Sequence, residues 1–301
     1  MINKLIYDCL EVSKDSKIPF LFLSNPGLGK TSIIKAYAEA NGYDLVELRG
    51  SQSSPEDILG FYTNDVKSNS LQLKLPSWFH KIISSKKPHI LFLDEITTTN
   101  EYTQAALLKL IFDREIESYK LPDNCIIVSA GNFVSNLQNS FNQIIAPMIN
   151  RFCVVNLSLS QNEILDYVSI EPKINKYEYT YKKIDSKKVE KLVKTFLETL
   201  FDKYSISDSP DFYIDLNNKD FCNMSDLQQE VYNIISPRSI HYLTKITYSL
   251  SKIKDNIDDN TIRNILLGLI GAGTLNYSSV SFMTDYQNDC VKIFKKYLDL
   301  L

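Results

Sequence analysis

Two short stretches of this chain carry residues whose types and spacing suit chemistry on a phosphate chain. The first is Ser24-Asn-Pro-Gly-Leu-Gly-Lys-Thr-Ser32, set between the apolar run Phe20–Leu23 and a periodic apolar run, and so predicted to be a loop from strand to helix. Gly27 and Gly29 let the backbone bend tightly and turn successive N–H groups toward one anion, and a helix opening at Lys30 adds its positive end. Lys30 would reach the β- and γ-phosphates of a nucleotide and Thr31 would place a hydroxyl on Mg²⁺, with Asn25, Pro26, Gly27, Leu28, Gly29 and Ser32 completing the cradle. The stretch fits the pattern G-x-x-x-x-G-K-[ST] except at its first position, which is Ser24. The bland alternative is a strand–helix turn with a chance Lys-Thr pair.

The second stretch is His89-Ile-Leu-Phe-Leu-Asp-Glu95, a buried-strand pattern ending in two carboxylates. Adjacent strand residues point to opposite faces, so Asp94 and Glu95 are expected to take different tasks. One would hold Mg²⁺ through its water and the other would orient the attacking water in phosphoryl transfer. Ile126-Ile-Val-Ser-Ala-Gly-Asn132 is a further buried strand, whose terminal amide either contacts the γ-phosphate or water, or simply forms a turn. Arg151 follows a short helix and precedes a strand, which places it at the rim, away from its own phosphates. It is read either as a guanidinium offered to a neighbouring subunit's nucleotide or as a surface ion pair. Arg238, in Ser236-Pro-Arg, falls in the first turn of a helix, where the macrodipole disfavours a cation by ~0.3–1 kcal/mol. A phosphate or an acidic partner would compensate.

These residues need elements to hold them. An amphipathic helix with Ile2, Leu5, Ile6, Cys9 and Leu10 on one face opens the chain and ends near Ser16. Strands alternate with helices through Leu157, with stops at Asn41-Gly42, a cap at Ser54-Pro55, a hairpin over Phe61–Leu75, a helix capped by Asn100, and a short excursion from Asp113 to Pro122. This alternation predicts a doubly wound, parallel five-stranded α/β sheet with ligands beyond the carboxyl ends of its strands. Past Leu157 come a capping box at Ser160–Glu163, a charged tyrosine-rich linker over about 171–185, and helical stripes such as Val189, Leu192, Val193, Phe196, Leu197 and Leu200. The expected domains are therefore 1–158, an α/β core, and 159–301, a smaller all-helical lid. Gly268, Gly271 and Gly273 are expected to let helices approach closely.

Composition narrows the field. The chain of 301 residues carries a formal net charge of −3, without the basic excess that marks an electrostatic nucleic-acid binder. Its five cysteines, Cys9, Cys125, Cys153, Cys222 and Cys290, show no C-x-x-C spacing, and buried thiols are expected. His80, His89 and His241 are too scattered to serve as ligands. No apolar run approaches the ~20 residues of a membrane span, so a cytoplasmic protein is expected.

Taken together, the chain resembles an AAA+ ATPase, and within that class the MoxR-type branch. The matching stretches are Asn25–Thr31, Ser54–Gly60, Ile90–Glu95, Ala105-Leu-Leu-Lys with Asp113–Ile116, Ala130–Asn132, Ala146–Phe152 and Ser236–Arg238. The resemblance implies Lys30 and Thr31 as the Walker A pair, Asp94 and Glu95 as Walker B, Asn132 as sensor 1, Arg151 as the arginine finger and Arg238 as sensor 2. It also implies a hexameric ring with ATP and Mg²⁺ between subunits, remodelling a protein client, with partners bearing a von Willebrand A domain frequent in the branch. In that branch 61–75 would be an inserted, projecting hairpin. Phe61 and Tyr62 are then either client contacts or core. Two other readings stay open: a nucleic-acid motor or restriction-type translocase similar to McrB, and a scaffold that binds ATP as assembly glue and rarely hydrolyses it.

Overall fold

A computed structural model describes residues 2–65, 70–132, 144–158, 177–204, 237–269 and 281–301. The capping box at Ser160–Glu163, the first part of the expected linker, Cys222, Ser236, Gly271 and Gly273 lie outside the described residues.

The first compact unit is built on Pro19–Phe152. Its strands are β1 (Phe20–Ser24), β2 (Asp44–Arg49), β5 (His89–Asp94) and β8 (Cys125–Asn132), which together with β9 (Cys153–Asn156) form a five-stranded sheet in the order β2-β5-β8-β1-β9. β1 pairs with β8, β8 with β5 and β5 with β2, all parallel. The predicted doubly wound sheet is thus present. Burial explains the strand sequences: His89–Leu93 and Cys125–Gly131 are buried without interruption, as expected of central strands covered on both faces, whereas edge strand β2 is only partly covered.

Local chemistry sets the ends of the elements around the sheet. Helix α2 (Lys30–Ala40) buries Ile33, Ile34, Tyr37 and Ala38; it stops where the Asn41 amide donates to the Tyr37 carbonyl at 2.9 Å and Gly42 takes a positive φ of 71°. Helix α3 (Pro55–Leu59) starts with a reciprocal capping box between Ser54 and Asp57. Gly60 cannot be replaced freely, because its φ is 80° and a Cβ there would lie 2.2 Å from the Lys74 carbonyl oxygen. Strands β3 (Phe61–Asp65) and β4 (Ser70–Lys74) form the antiparallel hairpin, and α4 (Ser77–Ile83) follows. Phe61 and Tyr62 are 54% and 55% exposed, so neither belongs to the core. Helix α5 (Glu101–Asp113) is capped by Asn100, and the small hairpin of β6 (Glu115–Ile116) and β7 (Tyr119–Lys120) is tied down by the Arg114 guanidinium, which donates to the carbonyls of Pro122 and Cys125 at 3.2 and 2.5 Å.

The second unit contains Tyr7–Ile18, Cys153–Asn156 and Tyr177–Leu301. Its helices are the greater part of α1 (Ile2–Ser16), α7 (Ser186–Tyr204), α8 (Pro237–Ile253), α9 (Asp259–Leu269) and α10 (Ser281–Leu298). The α7 stripe is buried as its spacing predicts, with Phe196 edge-on to Phe294 of α10 at 5.3 Å. Gly268 does permit a close approach, though to a strand rather than a helix: a Cβ there would lie 2.0 Å from the Val154 carbonyl oxygen. Helix α1 contributes more than its apolar face. Asp8 is fully buried and accepts from the Tyr179 hydroxyl at 2.7 Å and the Thr261 hydroxyl at 3.2 Å. Glu11 accepts from Tyr181 at 2.5 Å, and Asp15 accepts from Ser249 and Lys252 at 2.7 and 2.9 Å.

A buried carboxylate held by two hydroxyls gives a stability prediction. Removing it strands both donors, so Asp8→Ala should lower the free energy of unfolding by about 2–3 kcal/mol in urea titration, whereas exposed Glu39→Ala should change it by less than about 0.5 kcal/mol.

Candidate functional site: a phosphate loop facing two carboxylates

The loop between β1 and α2 turns by means of two glycines in left-handed conformation, Gly27 with φ 82° and Gly29 with φ 79°. A Cβ added at Gly27 would meet nothing within 4 Å, so what that position demands is backbone freedom rather than space. Asn25, Pro26 and Gly27 are exposed, Leu28 is buried beneath them, and Ser32 faces outward from the first turn of α2. Gly29 caps the helix without a side-chain bond, leaving the first backbone N–H groups of α2 for another acceptor.

Parallel register brings the remaining groups to this loop. Ser24 and Asn132 are partners at the ends of β1 and β8, and Arg49 and Asp94 at the ends of β2 and β5. The Lys30 ammonium donates to Ser24 Oγ at 2.5 Å and to Asn132 Oδ1 at 3.1 Å. Thr31 Oγ1 donates to Asp94 Oδ2 at 2.7 Å, while Asp94 Oδ1 accepts from the Glu95 backbone N–H at 2.9 Å. Lys30 is only 8% exposed; burial pushes its pKa down and the Asp94 carboxylate opposes that fall.

Asp94 and Glu95 are separated, but not by strand alternation. β5 ends at Asp94, and Glu95 takes a left-handed backbone (φ 56°, ψ 36°) that costs a non-glycine residue on the order of 1–2 kcal/mol. The carboxylate of Glu95 is thereby turned outward, where it accepts from the Ser51 hydroxyl in the 3-10 turn Gly50–Gln52 after β2. Asn132 is braced as well, its backbone N–H donating to Thr97 Oγ1 at 3.1 Å.

The two arginines stand elsewhere. Leu157, just past β9, donates to the Leu23 carbonyl near the end of β1 at 2.7 Å, so Arg151, which precedes β9, lies toward the sheet edge opposite the loop. Its guanidinium donates to the Pro147 carbonyl at 2.6 Å and lies 5.4 Å from the ring centre of the exposed Phe112. Arg238 is half-buried in the first turn of α8 in the helical unit.

Sequence reasoning missed three participants. Ser51 and Thr97 give no signal of their own, because each acts through a strand tip distant in sequence. Arg49 was in principle findable, since β2 ends beside the Asp-Glu strand. It donates to Glu47 at 2.9 Å, and that bond, reinforced by the Glu47 charge and by Glu95 and Asp94, raises its pKa.

Residues 20–152 match the family model described as the ATPase family associated with various cellular activities. This segment is similar to an AAA domain. A crystal structure of a candidate ATPase from Cytophaga hutchinsonii ATCC 33406 shares the fold, with a TM-score of 0.58 and 14% identity over 98% of this chain and 92% of that one. No curated protein matches the chain by sequence. The matched segment contains the loop, both carboxylates, Asn132 and Arg151. Its donor set also suits a hard cation: Thr31 and Asp94 offer a hydroxyl and a carboxylate already in contact, and Mg²⁺ commonly takes one or two such protein oxygens together with phosphate and water.

If Lys30 is the principal cation for the phosphates, Lys30→Ala should weaken binding of a fluorescent ATP analogue by about two orders of magnitude in an equilibrium titration. The variant should keep its fold, as judged by circular dichroism.

Proposed function

We propose that the chain is a Mg²⁺-dependent ATPase of the MoxR type, acting as an oligomer on a protein client. The observation that carries the reading is the convergence of Lys30, Thr31, Asp94 and Asn132 through direct hydrogen bonds at the carboxyl ends of β1, β5 and β8, beside a loop with Gly27 and Gly29 in left-handed conformation. In this reading the backbone of Asn25–Ser32 and the Lys30 ammonium hold the phosphates. Thr31 and Asp94 hold Mg²⁺, which would neutralise charge on the phosphoryl oxygens. Glu95 accepts the proton of a water whose oxygen attacks the γ-phosphorus; the bond from that phosphorus to the β–γ bridging oxygen breaks, and ADP leaves. Asn132 positions that water or the γ-phosphate. Glu95 must exchange its bond from Ser51 for one from the water, which makes the Ser51 contact a resting position of the base.

Proteins with AAA domains commonly form oligomers, and the position of Arg151 supports its assignment to a neighbouring copy's nucleotide in a hexameric ring. Arg238 would respond to the nucleotide from the helical lid, residues 159–301 in this reading. The hairpin supports a protein client: Phe61, Tyr62 and Leu71 are all more than half exposed. A von Willebrand A domain partner and a cytoplasmic setting belong to the same reading; among the described residues no helix is long and apolar enough to cross a membrane.

Two outcomes are expected. Glu95→Gln should bind ATP at parental affinity yet turn it over ~10²–10⁴-fold more slowly; turnover at the parental rate in a phosphate-release assay would exclude Glu95 as the base. Arg151→Ala should lower turnover by ~10³ or more, with ATP binding to the monomer unchanged. Mixed with Lys30→Ala protein, it should regain activity in mixed oligomers, and no regain would mean that the guanidinium serves its own subunit.

A further inference from the structure

The phosphate-loop pattern puts glycine where this chain has Ser24, and the structure shows what the substitution adds. Ser24 is fully buried at the end of β1 and does not take a positive φ, so the backbone there makes no demand for glycine. Its hydroxyl donates to the Asn25 carbonyl at 2.8 Å. With the proton committed to that carbonyl, the oxygen lone pairs are left for the Lys30 ammonium, which donates to them while reaching Asn132 Oδ1 with a second N–H.

We propose that Ser24 is a positioning residue for nucleotide capture: its hydroxyl, with the Asn132 amide oxygen, anchors the Lys30 ammonium and aims its third N–H at the phosphates. The proposal rests on the reading of Ser24–Ser32 as a nucleotide site.

An ammonium has three donors and no acceptor, and two neutral oxygens occupy two of them, leaving one. Neutral partners hold the cation without cancelling its charge; a carboxylate in the same place would compete with the phosphate for it. Finally, Lys30 is nearly buried, and a buried ammonium N–H without a partner is costly, so without an acceptor at residue 24 the side chain would swing toward water. That swing would have to be reversed whenever a nucleotide binds. Once a triphosphate is bound, its own oxygens hold the ammonium, so Ser24 matters for capture and not for the bond-breaking step.

The test compares the parent with Ser24→Ala, Ser24→Gly and Ser24→Thr by equilibrium binding of a fluorescent ATP analogue in Mg²⁺ buffer, and by KM and kcat for ATP. Having to bring the displaced ammonium back should weaken binding and raise KM about tenfold in the Ala and Gly variants, a cost of the order of one charge-assisted hydrogen bond. In both, kcat should stay within about twofold of the parent, and the Thr variant, which keeps the hydroxyl, should bind within about threefold. A readout independent of these variants is the side-chain ammonium NMR signal of Lys30 in the nucleotide-free parent, identified by its loss in Lys30→Arg. Protection from solvent exchange supports the anchor, and a fast-exchanging ammonium overturns it. Ala and Gly variants that bind as tightly as the parent, or more tightly, overturn the proposal alone. So does a loss that falls equally on kcat and is not rescued by Thr. A parent that binds no nucleotide overturns the nucleotide-site reading and this proposal with it.

Discussion

A lysine ammonium with little access to water must be met by oxygens of the protein, and that requirement ties together the sheet, the loop and the site. The Lys30 side chain starts at the first residue of α2, yet its acceptors are on the ends of two strands, Ser24 of β1 and Asn132 of β8. The three meet only because β1 and β8 are parallel and in register, with Ser24 opposite Asn132. A shift of one residue in that pairing would turn the Asn132 side chain to the other face of the sheet and leave the ammonium one acceptor short. The same holds one strand further on, where Thr31 reaches Asp94 because β5 ends level with the loop.

Most of this was legible in the sequence, because it follows from local rules. Uninterrupted apolar runs at Ile90–Leu93 and Ile126–Val128 can be central strands of a parallel sheet, and polar residues at their ends must then emerge on one edge. The turn from β1 to α2 was legible from Gly27 and Gly29 for the same kind of reason. The separation of Asp94 from Glu95 was expected but its cause was not. Strand alternation would have placed the two on opposite faces of β5, whereas the backbone leaves the strand at Asp94 and turns through a left-handed Glu95. Nothing in the local sequence marks that turn, since residue 95 is not the glycine or asparagine that usually occupies such a conformation. Ser51 was illegible for a different reason: its partner is 44 residues away, and an ordinary serine after a strand carries no pattern.

The helical unit shows the same limit from the other side. Hydrophobic periodicity found the buried face of α1 through Leu5, Ile6, Cys9 and Leu10, and would leave its acidic residues in solvent. Yet Asp8 and Glu11 are almost completely buried, because tyrosines 179 and 181 cover them and Thr261 supplies a further donor to Asp8. A carboxylate is tolerated inside only where such donors converge, and here they come from about 170 to 250 residues downstream. Pattern reading along one helix cannot see them. Gly268 was recognised as a point of close approach, but the element that approaches, β9, could be named only once the strand and helix were placed together.

The hydrogen bonds around the loop bear on how such a site selects its ligand. The Lys30 ammonium, the Thr31 hydroxyl, the Asp94 carboxylate and the Glu95 carboxylate each already have a protein partner. A ligand that meets the hydroxyl or the carboxylates therefore exchanges one hydrogen bond for another, while the third N–H of Lys30 is left for it, and a bond between neutral groups is worth only about 0.5–1.5 kcal/mol net. What the protein partners of Lys30 do not provide is charge: Ser24 and Asn132 are neutral, and the nearest carboxylate is occupied by Thr31. An anion brought to the ammonium and to the open N–H groups of α2 gains charge-assisted bonds that the protein's own partners cannot match, whereas a neutral ligand gains almost nothing. A preference for an anion over a neutral ligand thus follows from keeping the cation satisfied but not neutralised.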